Sequence, residues 1–91
     1  MIARRLVISG RVQGVGFRYA LIEVARESGI AGWVRNLRDG AVEALVQGDA
    51  VGVERTLAWC RRGPPSANVS NVAVAPVPVE PLAGFELRPS A

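Results

Sequence analysis

The chain has 91 residues, enough for one domain over residues 1–91 that buries roughly 60–65% of its unfolded surface, and too few for a second. Its 49% hydrophobic and 21% charged content excludes disordered and collagen-like classes, and no window approaches the ~18–20 uninterrupted apolar residues of a membrane span. The formal net charge is +3 with no His and no Lys, so all eleven basic side chains are Arg; that excludes Ser-His-Asp and Cys-His catalysis, a histidine zinc site, a Schiff-base lysine and a phosphate-loop lysine.

Leu6 and Ile8 alternate with Val7 and Ser9, which predicts a short strand ending at Gly10. Gly10 to Gly16 carries three glycines and is expected to be a loop. From Phe17 the apolar positions Phe17, Ala20, Leu21, Val24 and Ala25 recur at helical spacing, and Gly29 supplies the stop, giving a helix of about three turns. Ile30 to Leu37 returns to an extended pattern, Asp39-Gly40 is a hairpin signal, and a strand from about Ala41 to Gln47 places Val42, Ala44 and Val46 on one face. Asp49 or Ala50 opens a second helix containing Val53, Leu57 and Cys60, which Gly63-Pro64-Pro65 must end. Val69, Val72 and Val74 predict a fourth strand. Pro76, Pro78 and Pro81 confine the next segment to an edge or a loop and are expected to loosen that closing edge. Phe85 and Leu87 alternate with Glu86 and Arg88 in a last short strand. Strand, helix, strand, strand, helix, strand is a split βαβ order. The predicted fold is a ferredoxin-like α+β sandwich (βαββαβ), both helices on one face of a largely antiparallel sheet, with a short extra C-terminal strand.

The chemistry is concentrated in Gly10-Arg11-Val12-Gln13-Gly14-Val15-Gly16-Phe17-Arg18, where the first strand hands over to the first helix. Glycines let several backbone N–H groups converge, and a helix N-terminus adds unpaired donors at a positive dipole end. No Ser, Thr, Asp or Asn stands at the expected N-cap, which leaves those donors free for a ligand. Arg18, in the first helical turn, adds a planar fork suited to phosphate oxygens, at a dipole cost of a few tenths to about 1 kcal/mol that a bound anion would offset. The same spacing also serves a tight turn with Arg18 in solvent, so it leaves both possibilities open.

The nine residues themselves are more specific: GRVQGVGFR resembles the signature of the acylphosphatase family. Gly32-Trp33-Val34-Arg35-Asn36, followed by Asp39-Gly40 and Val42-Glu43, resembles that family's second block, and Arg62-Gly63-Pro64-Pro65 and Gly84-Phe85-Glu86-Leu87-Arg88 extend the likeness over nearly the whole chain. The resemblance implies metal-free hydrolysis of the carboxyl-phosphate bond of small acyl phosphates, with no cofactor and with inorganic phosphate as product and inhibitor. It implies that Arg18 and the amides from Gly14 through Val15, Gly16 and Phe17 to Arg18 hold phosphate, and that Asn36 orients the attacking water. Leu37 and Ala41 depart from polar residues found in many relatives.

The strand period sends Asn36 to one face with Val34 and Arg35 to the other with Trp33, which removes Arg35 from the pocket. Cys60 is expected to be a buried small hydrophobe, Trp33 and Trp59 core or half-buried aromatics, Arg61-Arg62 a helix end, and Glu23, Arg26 and Glu27 a solvated surface. The short apolar run Leu6-Val7-Ile8 is too brief for a signal peptide, and a single Cys fits a reducing compartment, so a cytoplasmic location is expected. A start at Met1 and an end soon after the last strand favour a free-standing enzyme, expected to be monomeric. The alternative from another class is a non-catalytic phosphate- or RNA-binding module; two Trp residues without a basic stripe speak against nucleic acid.

Overall fold

Alternating apolar residues in the extended segments and apolar stripes on the two helical ones sort the chain into seven elements. In the computed structural model, which describes residues 1–91, they run β1 (Ile2–Arg11), α1 (Phe17–Glu27), β2 (Ala31–Asn36), β3 (Val42–Gly48), α2 (Ala50–Arg62), β4 (Asn68–Pro76) and β5 (Phe85–Leu87). The sheet order is β4-β1-β3-β2-β5. The pairs β1–β3, β1–β4 and β2–β3 are antiparallel, and β5 adds to β2 in parallel. This is the ferredoxin-like α+β architecture predicted from the element order.

One element differs from expectation. β1 begins at Ile2 and continues past Ser9, because a register shift between Ser9 and Gly10 lets Gly10 pair with Val69 and Arg11 with Asn68. Such a bulge absorbs one extra residue and bends the strand without ending it. The loop expected from Gly10 is thereby shortened to Val12–Gly16.

Both helices lie on one face of the sheet, where Leu6, Ile8, Val34, Val42, Ala44 and Val46 meet Phe17, Leu21 and Ala25 of α1 and Val53, Leu57 and Cys60 of α2. The helix ends follow local chemistry. Asp49 caps α2 by accepting from Gly52 N–H at 2.7 Å, and Gly63 N–H closes its last turn on Trp59 O at 2.7 Å. α1 ends with Gly29 N–H on Arg26 O at 3.2 Å and Ile30 N–H on Ala25 O at 2.8 Å. Arg26, expected in solvent, also donates from Nη2 to Phe85 O at 3.1 Å and so ties α1 to β5. No helix is long and apolar enough to cross a membrane.

The central strand β3 is buried on its second face too. Glu43 is 4% exposed there, its carboxylate accepting from Arg5 Nε and Arg35 Nε at 2.6 Å each. Trp33, 9% exposed, lies under the guanidinium groups of Arg35 and Arg88, whose Cζ atoms stand 4.9 and 4.7 Å from the ring centroid. The proline-bearing segment after β4 crosses this face and is tied down along the way. Val77 N–H donates to Ala3 O at 3.2 Å, and Gly32 N–H to Gly84 O at 2.9 Å. Between them Gln47 donates to Glu80 O at 2.7 Å and accepts from Glu80 N–H at 2.9 Å. The prolines withhold ladder bonds from this closing edge, and Gln47 supplies two side-chain hydrogen bonds to it in their place.

At the other end of the sheet Val42, the first residue of β3, pairs with Ile8 of β1 on one side and Asn36 of β2 on the other. The loop after β1 and the last residue of β2 therefore emerge at the same end, one strand apart.

Candidate active site

The loop between β1 and α1 is anchored by Val12 and Phe17, each 1% exposed, and by Val15, which packs on the same core. Between the anchors Gly14 (φ 72°) and Gly16 (φ 78°) are left-handed, a conformation that side-chain-bearing residues rarely adopt. Left-handed residues interrupting a loop turn successive N–H groups to one side, which makes a concave anion-binding surface. The N–H groups of Gly14, Val15 and Gly16 form no backbone hydrogen bond.

α1 continues the same row of donors. Its N-cap is Gly16 with no side-chain cap, and its first turn holds no acidic residue. The opening bond runs from Ala20 N–H to Gly16 O at 3.1 Å, so the N–H groups of Phe17, Arg18 and Tyr19 have no partner within the helix. Arg18 is half-buried and makes no hydrogen bond or ion pair with the protein; its Cζ lies 5.7 Å from the ring centroid of its neighbour Tyr19. By contrast Arg5 and Arg35 are committed to Glu43, Arg26 to Phe85 O, and Arg88 to Trp33.

Asn36 closes β2 on the helix side of the sheet, on the same face as fully buried Val34. Its Oδ1 is a buried side-chain oxygen with no hydrogen-bond donor, and no other side-chain nitrogen or oxygen shares that state. Leaving such an acceptor unpaired costs on the order of 1–3 kcal/mol, which sets Asn36 apart from the other buried polar side chains of the fold. Arg35 lies on the opposite face with Glu43, as the strand period predicts.

In the sequence Gln13 is one more residue of the loop, yet in the fold it joins the two halves of the site. Its Nε2 donates to Leu37 O at 2.7 Å and to Ala41 O at 2.9 Å. The departures at Leu37 and Ala41 therefore enter this region through their carbonyls. The sequence signals of Gln13 are its place inside the GRVQGVGFR block and a long amide in a loop otherwise built of glycine and valine, neither of which shows what it bonds to.

The molecule's three surface clefts are lined by other residues, so the loop between β1 and α1 does not lie in a deep cavity. Cys60 offers no nucleophile. Burial pushes its thiol up to about 12, opposed only weakly by the Arg61 charge. With Trp33 covered by guanidinium groups and Trp59 packed on Phe17 at a centroid distance of 5.2 Å, the sheet presents no aromatic platform for bases.

The family model described as Acylphosphatase matches residues 4–87. The chain is 55% identical over 90 residues to an acylphosphatase of Acidiphilium cryptum, covering 97% of each chain. Among solved structures it is similar to the acylphosphatase of Bacillus subtilis, with a TM-score of 0.94, 34% identity, and 97% of this chain and 99% of that one covered. It is also similar to part of full-length HypF in its phosphate- and nucleotide-bound form, with a TM-score of 0.91 and 30% identity over 98% of this chain and 12% of that one. With the family matched over nearly its whole length, the chain belongs to the acylphosphatase family of hydrolases.

Proposed function

We propose that residues 1–91 act as one domain that cleaves the carboxyl-phosphate bond of small acyl phosphates, giving a carboxylate and inorganic phosphate without a metal. The amides of Gly14, Val15, Gly16, Phe17 and Arg18, with the Arg18 guanidinium, hold the phosphoryl oxygens. Asn36 accepts a hydrogen bond from the attacking water through Oδ1. The observation that carries this assignment is the run of unpartnered amides from Gly14 to the start of α1 beside an Arg18 with no protein partner, at the same end of the sheet as Asn36.

The chemistry needs no stronger groups. The leaving carboxylate has a conjugate acid with a pKa near that of Glu, about 4.3, and departs with little help from an acid. What remains is to neutralise phosphoryl charge and to place water in line. Asn36 is no base, so the water's proton passes to a phosphate oxygen of the substrate or to bulk water. The lone buried thiol fits a reducing, cytoplasmic setting, and a site whose proposed residues all come from one chain fits a monomer.

Hydrolysis of benzoyl phosphate in EDTA, beside folded Arg18→Ala and Asn36→Ala variants, tests the assignment. Turnover is expected to survive the chelator and to be inhibited by inorganic phosphate. Arg18→Ala is expected to lose at least about 10²–10³ in rate together with phosphate inhibition, as for a lost transition-state donor that also carries charge. Asn36→Ala is expected to lose kcat with KM retained. Wild-type turnover in either folded variant would overturn its role.

A further inference from the structure

The cradle and Asn36 come from elements on either side of β3, and in-line attack requires them at a fixed separation. Displacement of a reacting group by about 1 Å can cost on the order of 10²-fold in rate. Something must hold the loop, which has almost no bonds of its own, against the end of β2.

Gln13 is the side chain placed to do this. Both protons of its Nε2 are used, one on Leu37 O at 2.7 Å and one on Ala41 O at 2.9 Å. Those two carbonyls form the base of the β2–β3 turn, where Leu37 N–H donates to Ala41 O at 2.8 Å and Gly40 N–H to Leu37 O at 3.2 Å. Leu37 is bonded directly to Asn36. No other side-chain hydrogen bond joins the loop to residues 36–42. One carboxamide nitrogen thus fastens the residue before Gly14 to the peptide after Asn36.

We propose that Gln13 is a positioning residue for the hydrolysis, setting the separation between the phosphate cradle and the water held on Asn36. It governs turnover without touching substrate. The proposal rests on the assignment of the cradle and Asn36 given above. Its signature is specific. A brace of the cradle alone would change phosphate affinity, whereas a spacer between cradle and Asn36 changes kcat and leaves phosphate binding alone.

The test uses the full chain with Gln13→Ala and Gln13→Met, both uncharged and without donors, the second close to glutamine in length. Each is assayed alone and combined with Asn36→Ala. The readouts are kcat and KM for benzoyl phosphate, the inhibition constant of inorganic phosphate, and thermal unfolding. Both single variants are expected to fold and to lose about 10–10²-fold in kcat, with KM and phosphate inhibition changed by less than about threefold. Adding either to Asn36→Ala is expected to lose less than about twofold more, because a spacer has nothing left to place. Unchanged kcat, a matching loss of phosphate inhibition, a fully additive double variant, or failure of both variants to fold would each overturn the proposal. An inactive wild-type protein would instead strike the acyl phosphate assignment beneath it, and so separates the two failures.

Discussion

Among eleven arginines, Arg18 is distinguished by standing in a helix's first turn, where its charge is unfavourable, with no carboxylate or carbonyl to hold it. That position is legible in the sequence because an uncapped helix start after three glycines is a local pattern. Asn36 is legible only through its motif, since strand period gives its face but not the burial of Oδ1. Gln13 is not legible as a brace because its acceptors lie 24 and 28 residues away, and only the folded sheet brings them together. Cys60 gives a prediction that belongs to a single residue. Its thiol is fully buried and its pKa rises from 9.0 to about 12 on folding, chiefly by desolvation. Between those values the unfolded chain has released the proton and the folded chain has kept it. The unfolded state then binds fewer protons, so stability is intact below pH 9 and falls as pH rises toward 12, by at most about 1.4 kcal/mol per pH unit. Urea unfolding at pH 8, 9.5 and 11 is expected to show a steeper loss for the wild type than for Cys60→Ala, since all other groups titrate in both proteins. Equal slopes would place the thiol in water.

At the scale of elements, the helices and the β2–β3 hairpin arise from short-range signals: helical spacing from Phe17, the Asp49 cap, and Asp39-Gly40 between apolar runs. The true extent of β1 does not, because Arg4 and Arg5 read as polar until Arg5 meets Glu43 across the sheet, and because a bulge at Ser9/Gly10 hides the continuing pairing with β4. β2 contains a position whose demand is likewise visible only in the sheet. Gly32 has φ 148°, and a Cβ built on it would stand 1.8 Å from Leu45 O of the paired strand. That neighbour is backbone inside the β2–β3 ladder, where Gly32 pairs with Val46, so it cannot swing aside. Gly32→Ala is expected to cost more than about 4 kcal/mol, a large share of the 5–15 kcal/mol typical of such a domain. Circular dichroism melting is the check, and a Tm within a few degrees of wild type would mean that β2 and β3 can separate locally at little cost.

For the whole molecule, the sheet's two ends divide the labour. One end carries the loop, Gln13 and Asn36 in line with Val42; the other is where the segment after β4 returns across the sheet to reach β5. That crossing has no strand ladder and two prolines, Pro78 and Pro81, so its attachment depends on Gln47, which pairs through the backbone with Ala3 and Ala31 and through its side chain with the backbone N–H and C=O of Glu80. Replacing Gln47 by Leu keeps the apolar bulk and removes both bonds. At about 0.5–1.5 kcal/mol net per hydrogen bond, the expected loss is about 1–3 kcal/mol, or a fall in Tm of roughly 4–8 °C for each kcal/mol in a domain of this size. Because Gln47 lies at the end of β3 away from Val42, kcat and phosphate inhibition are expected to stay within about twofold of wild type at 25 °C. Measuring Tm and benzoyl phosphate turnover on the same protein separates the two ends: a stable Gln47→Leu variant that loses turnover would show that the crossing segment is coupled to the cradle through the sheet, and the division of the molecule into a chemical end and a fastening end would fail.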